Sequence, residues 1–159
     1  MADIVSERYA QSLYEVAKDE KQEKEYLEEL TAVCGAFREN PDFLKLLTTP
    51  SIAFEDKQNV LKTVFEGKIR PFMLNFLMLT TEKGRIGLIH EMREAYKEQY
   101  YFENNIAEVC AVTAVPMSDA LKTKLKDKMQ AVTGKQVVLE TSVDPSIIGG
   151  IVVNVNNEQ

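Results

Sequence analysis

The separation of aromatic residues from valines is the feature that most constrains the fold of this chain. All 13 phenylalanine and tyrosine residues lie between Tyr9 and Phe102, whereas ten valines lie in the 54 residues after position 105 and only five before it. Aromatic, Leu and Met side chains at helical spacing favour packed helices, and valine-rich alternating segments favour strands. The sequence therefore predicts a mainly helical domain over residues 1–105 and a small α/β domain over residues 106–159.

The first domain is predicted to be a bundle of six helices. An apolar stripe of Val5, Tyr9, Leu13 and Val16 marks the first helix. The fifth is apolar at every position from Phe72 to Leu79 except one, which is typical of a helix covered on all sides. Caps, prolines and glycines give the approximate limits of the six helices. These limits are Asp3 to Lys18, a second helix that starts near Lys21, a third that is capped by Asn40 and runs from Pro41 to Leu47, a fourth with Val60 to Phe65 that ends at Gly67, Pro71 to Gly84, and Arg85 to Glu103.

The second domain is predicted to have the order strand, helix, strand, strand. Residues 106–115 and 137–143 are rich in β-branched residues, and residues 151–153 form a third such segment. Ser118 is a typical helix N-cap, and Gly134 a typical C-terminal stop. If the first two strands are parallel neighbours, the helix between them is expected to make a right-handed crossover.

Charge and cysteine content disfavour several classes of protein. Acidic residues number 25 and basic residues 19, a net charge of −6, whereas nucleic-acid binding needs a basic face. Cys34 and Cys110 lie far apart without C-x-x-C spacing, so we expect reduced thiols and no zinc site. No apolar run reaches the ~18 residues of a membrane span, and the first residues do not resemble a signal peptide. A soluble protein on the cytoplasmic side is expected.

Residues with the chemistry of catalysis are sparse. His90 is the single histidine, and we interpret it as a polar helical residue, because no His–Cys cluster surrounds it in the sequence. Gly149-Gly150 precedes a strand, so we interpret this pair as a tight turn or bulge and not as a phosphate loop. We predict no catalytic residue, no metal site and no cofactor.

Two surface features leave alternatives open. The lysines at 122, 124, 126 and 128 fit either a solvated amphipathic helix or a contact with an acidic partner. The apolar surface of the first and fifth helices fits either ordinary core or a groove for an amphipathic helix of a partner. The residue pattern alone indicates a two-part helical adaptor. A small cofactor-free enzyme remains an alternative that requires His90 or a carboxylate in a pocket.

Three stretches of the chain resemble one known family. Residues 9–17, with the sequence YAQSLYEVA, are similar to the Y-A-x-A-L-[FY]-x-x-A opening of the delta subunit of bacterial rotary ATP synthases. Residues 76–85 resemble its F-L-x-L-L-x-x-[NK]-x-R stretch, and residues 143–150, VDPSIIGG, resemble its [VI]-D-[PE]-x-[LI]-[IM]-G-G signature. The mitochondrial counterpart is the oligomycin-sensitivity-conferring protein. Order and spacing agree over essentially the whole chain.

The resemblance implies a non-catalytic role in the peripheral stalk. In that family the subunit links the catalytic head to the stalk, so that the head resists rotor torque during ATP synthesis driven by proton transport. The N-terminal helix of an alpha subunit docks between the first and fifth helices. By position, this implies partner contacts for Tyr9, Ala10, Leu13, Phe76 and Leu79. The alternative without the resemblance is an unrelated helical scaffold that binds a partner's amphipathic helix.

The remaining implications concern the second domain and the location of the protein. The resemblance implies that this domain meets the C-terminal ends of the stalk b subunits. It also implies a peripheral position on the cytoplasmic face of the cell membrane, held there through the complex. Separately, we predict that the isolated protein is a monomer. After Gly150 the family continues with a basic residue, an I-D-G-S stretch and a terminal helix, whereas this sequence ends at Gln159. A truncated C-terminal part is therefore expected.

Overall fold

The computed structural model describes residues 3–156, which are mainly helical with a small three-stranded sheet near the C-terminal end. Seven α-helices and one 3₁₀ turn lie within this range. The expected early end of the chain at Gln159 lies outside the described residues. The elements in chain order are α1 (Ile4–Asp19), α2 (Glu23–Glu39), α3 (Pro41–Thr48), α4 (Phe54–Phe65), α5 (Pro71–Glu82), the 3₁₀ turn (Ile86–Leu88), α6 (Ile89–Glu103), β1 (Ile106–Thr113), α7 (Asp119–Thr133), β2 (Gln136–Val143) and β3 (Ile151–Asn156).

Capping residues set several helix ends where the sequence predicts them. The Asp3 carboxylate accepts a hydrogen bond of 2.7 Å from the Ser6 backbone N–H, which satisfies a donor that the first turn of α1 cannot pair. The Ser118 hydroxyl accepts from the Leu121 N–H at 3.2 Å and caps α7 in the same way. Gly134 follows α7 with φ of +69°, a left-handed conformation that glycine adopts without steric cost.

Other helix ends differ from the prediction for local reasons. Lys21 has φ of +59° and lies in a turn, so α2 begins at Glu23. Asn40 does not cap α3 with its side chain; its Nδ2 donates to the Ala36 carbonyl at 3.1 Å and closes α2 instead. The predicted sixth helix starts as the 3₁₀ turn, and α6 proper begins at Ile89.

The chain divides into two compact units inside α6, between Lys97 and Glu98. The predicted domain boundary after Asn105 lies several residues further on and stays a prediction. In the first unit, buried aromatic rings join most of the helices. Tyr14 of α1 packs on Tyr96 of α6 with ring centroids 5.2 Å apart. The pairs Phe37–Phe43, Phe37–Phe65 and Phe43–Phe65 connect α2, α3 and α4.

The second unit is built on the central strand β1. β1 pairs with β2 in parallel and with β3 antiparallel, which gives the strand order β2-β1-β3. Val109 and Val137 are fully buried on one face, and Met129 of α7 packs against them. None of the described α7 side chains is itself buried. The predicted order strand, helix, strand, strand therefore agrees with these elements, and the strands on either side of α7 are parallel neighbours.

Candidate partner-binding site

The first and fifth helices, which the resemblance singles out, are neighbours in the first unit. The Tyr9 ring of α1 meets the Phe76 ring of α5 edge-on, with centroids 6.3 Å apart and planes at 74°. Edge-to-face packing of this kind is a favourable aromatic arrangement. Phe76 is 7% exposed and Tyr9 is half-buried. The structure thus brings two of the five predicted contact residues together on the line where α1 and α5 meet.

The other three predicted residues differ sharply in exposure. Ala10 and Leu13 are each 1% exposed, whereas Leu79 is 47% exposed. At ~100° per residue, Ala10 lies about 100° and Leu13 about 40° around α1 from Tyr9, and both belong to the buried side of this helix. The sequence interpretation of Leu13 as the side of an open groove therefore needs correction, because its side chain belongs to the core of the first unit. Leu79 lies at the surface, as a partner contact requires.

A residue that the sequence interpretation did not single out completes the apolar stripe of α5, which is exposed at Phe72 and Leu79 and buried at Phe76. Phe72 is 40% exposed and precedes Phe76 by one helical turn, and Leu79 follows one turn later. The opposite face of α5 is buried through Met73 and Leu77. The helical spacing of residues 72, 76 and 79 indicates that these side chains share one face of α5. Because α5 is apolar on nearly all sides, however, its sequence does not show which face the neighbouring helices cover. We call Phe72, Phe76, Leu79 and the adjoining Tyr9 the α1–α5 surface.

Arg70 fixes the start of α5 and thereby the position of this surface. Its backbone N–H and its Nη1 donate to the two carboxylate oxygens of Glu29 on α2, at 2.9 and 2.7 Å. Its Nε donates to Gln22 Oε1 at 3.3 Å, and its guanidinium lies 5.0 Å from the centre of the Tyr26 ring. A planar guanidinium makes such forked and stacked contacts together, which lysine does not.

A polar recess adjoins the stripe at Phe72. Its volume is about 620 Å³, and Glu20, Arg70 and Phe72 are among its lining residues. The Tyr26 hydroxyl donates to the Glu20 carboxylate, and burial together with this carboxylate raises the pKa of Tyr26 to about 12. The phenol therefore stays protonated at neutral pH and keeps its role as a hydrogen-bond donor. The α1–α5 surface is thus apolar along α5 and polar at the end nearest Arg70.

Comparison with known proteins identifies the family. The model of the family "ATP synthase delta (OSCP) subunit" matches residues 5–159. The ATP synthase subunit delta of Alkaliphilus metalliredigens is 34% identical over 158 residues, which cover 99% of this chain and 88% of that protein. The chain belongs to the ATP synthase delta (OSCP) subunit family. The delta subunit of Clostridioides difficile is also similar, at 30% identity over all of this chain and 88% of that protein.

A solved structure agrees with this membership at the level of the fold. The matching chain comes from the mitochondrial ATP synthase hexamer of Toxoplasma gondii, with a TM-score of 0.72 at 23% identity over 94% of this chain and 85% of that one. Members of the delta (OSCP) family are structural, non-catalytic components of the peripheral stalk of ATP synthase, and this chain is one of them. The resemblance drawn from the sequence is confirmed, and the unrelated scaffold is excluded.

Burial governs the protonation of two reactive side chains of this delta-family chain, Cys34 and His90. The Cys34 thiol donates to the Ile89 carbonyl at 3.7 Å, and burial raises its pKa to about 11, so it is a protonated thiol and a poor nucleophile at neutral pH. Burial, followed by the charges of Arg38 and Arg93, lowers the pKa of His90. Residues 3–156 contain no group of three or more His, Cys, Asp or Glu side chains placed to hold a metal ion.

Across residues 3–156, every helix is too short or too polar to span a membrane.

Proposed function

We propose that this subunit holds the catalytic head of a proton-driven ATP synthase by docking the N-terminal helix of an alpha subunit on the α1–α5 surface. In this proposal the helices α1–α6 act together as one six-helix bundle. The second domain, residues 106–159, meets the C-terminal ends of the stalk b subunits, so the head resists rotor torque. The subunit is peripheral on the cytoplasmic face of the cell membrane, attached through the complex, and a monomer when isolated.

The exposed apolar stripe of α5 is the observation that carries this proposal. Phe72 and Leu79 are 40% and 47% exposed, whereas Met73 and Leu77 on the opposite side of α5 are buried. Anchors spaced by one turn match the repeat of an amphipathic helix lying in a groove. The half-buried Tyr9 ring forms the α1 side of this surface, in edge-on contact with Phe76. Ala10 and Leu13 are buried, so in this proposal they stabilise the first unit and do not touch the alpha-subunit helix.

The second unit offers apolar surface for the stalk contact. Val143, Ile151 and Val153 are 48%, 42% and 37% exposed. Val143 and Ile151 both pair with Thr113, and Val153 pairs with Ala111. Residues that pair across a sheet point to the same face, so these three side chains extend the face that packs on α7. An extended apolar face of this kind supports a protein contact of the second domain.

Titration calorimetry with a synthetic alpha-subunit N-terminal peptide tests the head contact. We expect Phe72→Ala and Leu79→Ala to weaken binding at least tenfold, because truncation of a central anchor costs on the order of 2 kcal/mol. Ile4→Ala is the matched control: Ile4 is 67% exposed on α1 and lies about 140° around the helix from Tyr9. Equal affinity of all three variants and the parent chain would refute docking on the α1–α5 surface.

The stalk contact is tested separately, with a peptide from the C-terminal end of the b subunit. Val143→Thr and Val153→Thr keep β-branched side chains on the strands while they make the exposed face more polar. We expect these variants to lose the b peptide and to retain the alpha peptide. Loss of both, or of neither, contradicts the assignment of the two partners to different domains.

A further inference from the structure

The first unit contains a second cavity that shares no lining residue with the recess beside Phe72. It is an open cleft of about 490 Å³, lined by residues of α2, α3, the 3₁₀ turn and α6. Pro41 and Leu44 form an apolar wall. Gly87 of the 3₁₀ turn has no side chain to fill the cleft, and a Cβ at this position would already be 3.5 Å from the Thr48 methyl group.

The charged groups of the cleft are all basic. Arg38 and Lys45 line it together with His90, and no lining residue carries a carboxylate. Neither Arg38 nor Lys45 forms an ion pair with a carboxylate within residues 3–156, whereas Arg70 and Arg93 do. In a chain with a net charge of −6, two unpaired cations beside an apolar wall form a local positive region.

The state of His90 agrees with this positive region. Its Nδ1 is buried and has no hydrogen-bond partner within the described part of the chain, and buried polar atoms are rarely left unpaired. Burial lowers the pKa of His90, and the charges of Arg38 on α2 and Arg93 on its own helix lower it further. Lys45 of α3 lines the same cleft. A bound negative charge would offset these cations and stabilise the protonated imidazole.

We propose that this cleft binds a small organic anion, whose carboxylate pairs with Arg38 and Lys45 and whose apolar body lies against Pro41 and Leu44. A guanidinium can bind a carboxylate through two parallel hydrogen bonds. The volume of the cleft lies within the ~300–1,000 Å³ of typical small-molecule sites, which also combine apolar walls with a few polar groups. The site is independent of the α1–α5 surface, so occupancy does not depend on the proposed docking of the alpha subunit.

The single histidine makes His90 a direct reporter of binding. The probe is 4-phenylbutyrate, added to the full chain while the imidazole signals are followed by NMR across a pH titration. For a ligand of about twelve non-hydrogen atoms we expect a dissociation constant on the order of 1 mM, together with a rise in the pKa of His90 at saturation. The neutral amide of the same compound is the control, because it keeps the apolar body and lacks the carboxylate. It should cause neither saturable shifts nor a rise in the pKa of His90.

Two double variants complete the test. Arg38→Gln with Lys45→Gln should weaken 4-phenylbutyrate binding at least tenfold. Lys24→Gln with Lys62→Gln removes the same charge from exposed positions outside the cleft and should bind as the parent chain does. Circular dichroism checks that both variants keep their helical content. Absence of saturable shifts, equal binding of the amide, or unchanged binding by the Arg38/Lys45 variant would each overturn the proposal.

Discussion

Leu13 and Leu79 are the same side chain in two environments, and truncating each to alanine should separate folding from partner binding. Leu13 is 1% exposed and Leu79 is 47% exposed. Removing a fully buried leucine side chain costs roughly 2–5 kcal/mol, because the lost apolar contact and the cavity both count. Full burial of a leucine is worth ~1.5–3 kcal/mol, so a half-exposed one should cost less than about 1.5 kcal/mol. Alanine also has the higher helix propensity, which reduces the cost at Leu79 further.

Urea unfolding followed by circular dichroism at 222 nm measures the difference. With a slope of about 2 kcal/mol per molar urea, Leu13→Ala should lower the midpoint by roughly 1–2.5 M and Leu79→Ala by less than about 0.75 M. Binding of the alpha-subunit peptide should show the opposite order. Leu79→Ala should lose at least tenfold, about 1.4 kcal/mol or more, whereas Leu13→Ala should retain near-parental affinity wherever it is folded.

Two results would refute this reasoning. If the midpoint of Leu79→Ala falls as far as that of Leu13→Ala, the exposed stripe of α5 is covered in the isolated protein. If Leu13→Ala is as stable as the parent chain yet loses the peptide, Leu13 faces the partner and its assignment to the core of the first unit is wrong. A slope that changes between variants would indicate an altered unfolded state and would require native-state hydrogen exchange instead.

Three further outcomes are expected. Glu29→Gln removes the ion pair with Arg70 and should lower the free energy of unfolding by about 1–3 kcal/mol in urea melts. The pKa of His90 is lowered in the folded chain, so the unfolded state binds more protons as the pH falls, and the free energy of unfolding should decrease on acidification. His90→Gln should weaken this pH dependence, which urea melts at several pH values measure. Limited proteolysis should cut near Asn104-Asn105, and the fragment of residues 1–105 should keep its helical circular dichroism.

A specific experimental result would contradict each of these three predictions. Unchanged stability of Glu29→Gln would show that the Arg70 contacts are too solvated to matter. An equal acid dependence in parent and His90→Gln chains would assign it to other groups. An unfolded fragment of residues 1–105 would show that the first domain requires the second, contrary to the proposed division.

Local signals in the sequence were sufficient for the order of the elements. The residues Asp3, Ser118 and Gly134 act through contacts with chain neighbours three or four positions away, so their roles are visible without the rest of the fold. The parallel pairing of β1 and β2 is compatible with the intervening helix, but the order of the elements alone does not require it. Asn40 shows the limit of this reasoning, because a side chain between two helices can serve either one.

Exposure within the candidate site was less predictable. The stripe of Val5, Tyr9, Leu13 and Val16 was assigned correctly to one side of α1, but only Leu13 of these four is fully buried. The buried face is centred instead on Ala10 and Ala17, small residues that are 1% and 0% exposed. The Arg70–Glu29 pair joins residues 41 positions apart, and no periodic pattern in the sequence marks such a pair.

The position of β1 in the middle of its sheet sets an order for folding during synthesis. Each residue of β1 pairs with one thirty positions later in β2, and the β3 partners emerge later still, with Asn156 opposite Glu108. Until those strands leave the ribosome, the apolar side chains of β1 have no sheet to join. The helices of the first unit make contacts that are complete by Lys97, and nearby contacts form faster than distant ones. The helical unit is therefore expected to fold first. Until β2 and β3 are synthesised, the β1 segment remains unpaired, with apolar side chains exposed to aggregation and to chaperones.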